Sequence, residues 1–82
     1  MNASEKIEKL VKIESYISEL KEQSKGYNDE IVKLKRFFAA EANPNIKLAE
    51  VAQELNEMTL KQRAVEIKID FLEQARKKLV TL

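Results

Sequence analysis

Ser15, Ser18, Ser24, Thr59 and Thr81 are among the hydroxyls that could act as nucleophiles, and Glu54 with Glu57, one helical turn apart, is an example of carboxylates spaced for acid–base work. Neither set has the companions it needs. The chain contains no His and no Cys, so no hydroxyl has an imidazole to take its proton. Zinc would find only oxygen ligands, and the Glu-x-x-His pattern of di-iron bundles cannot be built. Gly26 is the one glycine, so there is no glycine-rich loop to cradle a phosphate. The Glu54–Glu57 pair reads as a solvated helix face. The expectation is a non-enzyme with no catalytic residue, no metal and no cofactor.

Two basic runs, "KLKRFF" at 33–38 and "ARKKL" at 75–79, could meet phosphates. The overall balance argues against nucleic acid as the partner. Fifteen Lys and Arg face fourteen Asp and Glu, a formal net charge of +1, which gives no global field to attract a polyanion or an anionic membrane. Residues 39–60 carry one basic and four acidic side chains, and residues 61–82 carry six and three. Only that last block is noticeably basic.

The elements that must position these groups follow from composition and period. With 82 residues, 44% hydrophobic and 35% charged, one Gly and one Pro, the profile is that of long surface-charged helices. A single domain of this length has a small core, so a partner is expected from the outset. The absence of Cys fits a reducing compartment. The N-terminus "MNASEKIEKL" has no apolar signal segment and no run approaches membrane-spanning length, so the expected location is cytoplasmic, with no membrane partner.

Apolar residues recur in alternating steps of three and four. Leu10, Ile13, Ile17, Leu20, Ser24, Tyr27, Ile31, Leu34 and Phe38 form one heptad tract with Leu10 at a and Ile13 at d. Leu48, Val51, Leu55, Met58, Gln62, Val65, Ile69, Leu72, Arg76 and Leu79 form a second, with Leu48 at a. Between them lies "EANPNIK", residues 41–47, where Pro44 lacks an amide donor and biases Asn43 away from helical geometry. Asn43 suits an N-cap with Pro44 at the first helical position.

The chain should therefore fold back as an all-α antiparallel hairpin: one domain over residues 1–82, with helix 1 about 3–42, a turn about 43–45 and helix 2 about 44–81. A single register pairs every a with a d. Phe38 meets Val51, Leu34 meets Leu55, Ile31 meets Met58, Tyr27 meets Gln62, Ser24 meets Val65, Leu20 meets Ile69, Ile17 meets Leu72, Ile13 meets Arg76 and Leu10 meets Leu79. Arms of this length make a rod on the order of 55 Å long. Gly26 weakens helix 1, and Asn28 or Asp29 could cap a new helix, but the heptad passes through Ser24 and Tyr27 without a slip. A continuous helix 1, straight or bent at Gly26, is therefore preferred over a break between Lys25 and Asn28 that would give three helices.

Polar residues in the seam are candidate register setters: Ser24, Tyr27 and Gln62, with the Tyr27 hydroxyl expected to meet the Gln62 amide. Arg76 should run its stem along the seam with its head toward Glu14. A second stripe, Leu60, Ala64, Ile67 and Phe71, points roughly 160° away from the seam at ~100° per residue. Ile7 and Val80, both at e positions, widen the apolar surface at the open end. A hairpin cannot cover both faces, so these six residues are the expected partner or dimer interface, and two hairpins closing into a four-helix bundle would cover the stripe.

"AEVAQELNEMTLKQ" resembles the first part of a helix-turn-helix, with Ala52 followed four residues on by Asn56 where that motif has Gly. The likeness implies a small nucleic-acid-binding or transcription-regulatory protein. "AQELN", Ala52 to Asn56, is similar to the Ser-Gln-Glu-Leu-Asp motif of the helical-hairpin aspartyl-phosphate phosphatases of sporulation phosphorelays, with Ala52 in place of Ser and Asn56 in place of the acidic residue. That likeness implies a phosphorelay-type regulatory hairpin. In shape the chain also resembles the short hairpin chaperones and adaptors of secretion systems and phage particles. The reading preferred over these is a non-catalytic protein–protein interaction module, an adaptor, chaperone-like cofactor or inhibitor of a larger protein, acting as a homodimer, with a larger protein, or both.

Overall fold

The structure, a computed structural model, describes residues 2–40 and 47–81. It consists of two long helices packed against each other, α1 (Ala3–Ala40, 38 residues) and α2 (Lys47–Thr81, 35 residues). The rod measures 63 × 14 × 14 Å, which is close to the arm length set by a rise of about 1.5 Å per residue. The turn expected at Asn43 and Pro44 lies outside the described residues, as do the side chains of Phe38 and Leu48 beside it.

α1 begins where Asn2 can cap it. The Asn2 side-chain oxygen accepts the Glu5 amide at 2.8 Å, and the Asn2 carbonyl accepts the Lys6 amide at 3.1 Å. One of the amide donors left over at a helix start is thereby satisfied, and the carboxylate of Glu5 sits in the first turn where the helix dipole favours it. The spacing Asn2-x-x-Glu5 is a capping signal that the heptad pattern does not reveal.

Heptad position decides burial along both arms. In α1, the positions that escape full exposure are Lys6, Leu10, Ile13, Ile17, Leu20, Ser24, Tyr27, Ile31 and Leu34, all at a or d. In α2, Val51, Leu55, Met58, Gln62, Val65, Ile69, Leu72, Arg76 and Leu79 follow the same rule, joined by Glu73 and Ala75 at its edges. The tightest packing is at mid-rod, where Ile17, Leu20, Val65 and Ile69 form one cluster flanked by Ile13, Tyr27 and Leu72. This cluster unites two layers of the expected register, Leu20 with Ile69 and Ile17 with Leu72. Even here the burial is thin: Ile17, the most buried, keeps 3% of its surface, and Ile69 keeps 8%.

Gly26 does not interrupt α1, and no glycine in the described residues has a positive φ. It occupies an outer position, and a Cβ built there meets nothing within 4 Å. Glycine therefore contributes nothing to the hairpin itself, while its unfolded-state freedom still weakens the helix. Gly26→Ala is expected to stabilise the chain by about 0.5–1 kcal/mol, which raises the thermal midpoint by about 2–8 °C. A lower midpoint by calorimetry would mean that something approaches position 26 closely.

Candidate interaction surface

The outer stripe of α2 is solvent-facing along its whole length. Leu60 is 57% exposed, Ile67 62% and Phe71 72%, and Ala64 between them is also exposed. The cause is geometric, since residues at c and f turn away from a seam built on a and d. α1 adds an aromatic residue that the stripe alone does not show. Tyr16, itself half exposed, lines a shallow cleft of about 340 Å³ together with Ile67, Lys68, Phe71 and Leu72. Tyr16 and Lys68 are both g positions, and in an antiparallel hairpin the two g columns lie on the same flank. Phe37, exposed and also at g, belongs to that flank. The signal for Tyr16 was present in the heptad, but it becomes visible only after the two arms are paired.

Ile7 and Val80 are exposed at e positions toward the open end, and Val11 on α1 is exposed as well. Ile67 and Phe71 line the cleft with Tyr16, and Leu60 and Ala64 continue the stripe along the outer c and f face of α2.

The seam residues singled out for register meet differently from the expectation. The Gln62 amide donates to the backbone carbonyl of Ser24 at 3.4 Å, a long bond in a half-buried site, in place of the Tyr27 hydroxyl. The physical reason is that carbonyls of a helix point toward its C-terminus. The Ser24 oxygen therefore lies near the level of Tyr27, and its second lone pair is free for a side-chain donor. No buried side-chain N or O among the described residues lacks a partner.

Arg76 is half buried and lines a cleft of about 590 Å³ with Glu14, Ile17, Ser18, Lys21, Glu22 and Lys25. Glu14 thus shares the cleft with Arg76 as expected, without an ion pair within 4.0 Å among the described residues. The ion pair that does cross the arms is Lys21 with Glu73 at 3.3 Å, between largely exposed side chains. Solvent screening makes such a pair a small contributor. Mixed charge leaves the cleft no single sign with which to select a ligand.

Thr59 and Thr81 donate their hydroxyls to carbonyls of their own helix, Leu55 at 2.8 Å and Lys77 at 3.1 Å. Among the described residues no group of three or more acidic side chains could hold a metal ion, and no helix is long and apolar enough to cross a membrane. α2 passes through Asn56 without a break, so no helix-turn-helix turn exists there. In the "AQELN" segment Leu55 packs at the seam, while Ala52, Gln53, Glu54 and Asn56 are exposed. Comparison with protein-family models, with curated proteins and with solved structures finds no significant match to this chain.

Gln62→Leu tests the polar contact of the seam. If the Gln62–Ser24 bond holds register, a Leu10→Cys/Leu79→Cys pair should cross-link completely within the parent chain and incompletely in the Gln62→Leu chain. Complete closure in both would mean that the turn and the apolar layers suffice.

Proposed function

We propose that this chain is a non-catalytic interaction module whose outer c and f face of α2, carrying Leu60, Ala64, Ile67 and Phe71 beside Tyr16 of α1, docks against another helical surface. Self-association into a four-helix bundle is its first use, and the absence of cysteine suits a cytoplasmic setting. The observation that carries this reading is the exposure of Ile67 and Phe71 beside Tyr16, three large side chains around one cleft. Single exposed apolar residues are ordinary, but adjacent large ones rimmed by Lys and Glu mark interaction sites. Covering them also addresses the thin core, because a bundle of four helices buries side chains that a pair of helices leaves half wet.

Replacing Ile67 and Phe71 together with Glu places carboxylates where apolar surface would be buried, at a cost no dimer of this size can absorb. The parent chain should show twice its 9.5 kDa mass by light scattering, and the double variant the mass of one chain. Helicity by circular dichroism should be retained in the variant, since neither residue packs in the seam. A double variant that keeps the parent's mass would refute the assignment of this flank.

A further inference from the structure

Resting on that reading, we infer that the occupant of the flank is a second copy of this chain whose α2 runs antiparallel to the first, about a two-fold axis passing between Ala64 and Ile67. Three independent observations point the same way.

The first is area. The hairpin exposes 6591 Å², whereas a compact protein of this mass exposes about 5,000 Å². The excess of about 1,500 Å² per chain is the amount each partner of an obligate homodimer buries. A second rod of the same length is a partner that can cover a surface of this extent along one face.

The second is side-chain size. Antiparallel pairing sets Leu60 against Phe71 of the second copy and Ala64 against Ile67 of the second copy, so a small residue faces a large one at the layers next to the axis. Parallel pairing would stack Ala64 on its own copy, leaving a void, and Phe71 on its own copy, crowding the layer.

The third is charge. The stripe is preceded by the exposed acids Glu50, Glu54 and Glu57, at c and g, and followed by the exposed base Lys78, at c. Antiparallel docking lays the acidic end of each α2 along the basic end of the other. Parallel docking would lay acids on acids, which the interface would have to oppose.

The test uses the full chain with a single nitroxide label at Gln53→Cys, an exposed site on the outer face just before the stripe. Antiparallel pairing places position 53 opposite position 78 of the second copy, so the label-to-label distance by pulsed electron resonance should be roughly 40 Å. A distance under roughly 20 Å in a dimer that Ile67→Glu/Phe71→Glu abolishes would overturn the antiparallel arrangement while leaving the flank assignment standing. A single-chain mass at all concentrations would overturn both. As a second readout, Glu54→Lys/Glu57→Lys should weaken the dimer about tenfold at low salt. Adding Lys78→Glu to the same chain should restore part of it, and a dimer indifferent to both changes would contradict the charge register.

Discussion

The closure of Ile17 and Leu20 on Val65 and Ile69 is the contact on which the rest of this molecule depends. Neither helix has another reason to hold a defined position. Each is charged on its outer faces, isolated helices gain little from propensity alone, and most helical stability comes from tertiary packing of an apolar face. Remove the seam and the chain has two water-compatible helices with no fixed relation. Keep it, and the position of every outer residue follows, including which column of α1 lies beside which column of α2.

The seam also explains why the surface looks unfinished. A two-helix rod has one line of contact, and that line is occupied by a and d. Any further apolar residue must then face solvent, and here several large ones do so on one flank. The hairpin's internal contacts are satisfied, with no orphaned buried polar atom among the described side chains, while its outer face carries exposed apolar side chains.

Much of this could be read before any coordinates. Among the described residues, the a and d positions of both tracts are the buried and half-buried ones, with Glu73 and Ala75 at the edges, because burial in a two-helix contact is a direct function of heptad phase. Continuity through Gly26 was the preferred reading, since the stripe keeps its phase on both sides of the glycine, with a break between Lys25 and Asn28 as its alternative. The stripe of Leu60, Ala64, Ile67 and Phe71 was identifiable by its spacing. What escaped required knowledge of pairing or of backbone. Tyr16 belongs to the flank only because g columns adjoin in an antiparallel hairpin, and the partner of Gln62 is a main-chain carbonyl, which has no residue-type signature. The Asn2 cap was written in the sequence but lies outside any apolar period. Ile7 and Val80 are exposed at the open end, where their e positions put them.

The claim that everything rests on is that both arms of one chain zip antiparallel along this seam. Nitroxides at Lys12 and Lys77, exposed sites at the same level near the open end, measure it most directly when labelled chains are diluted in unlabelled ones. The expected intramolecular distance is below roughly 30 Å, the width of the rod plus two label arms. A distance approaching roughly 100 Å, the span of a continuous helix over that stretch, would contradict the hairpin.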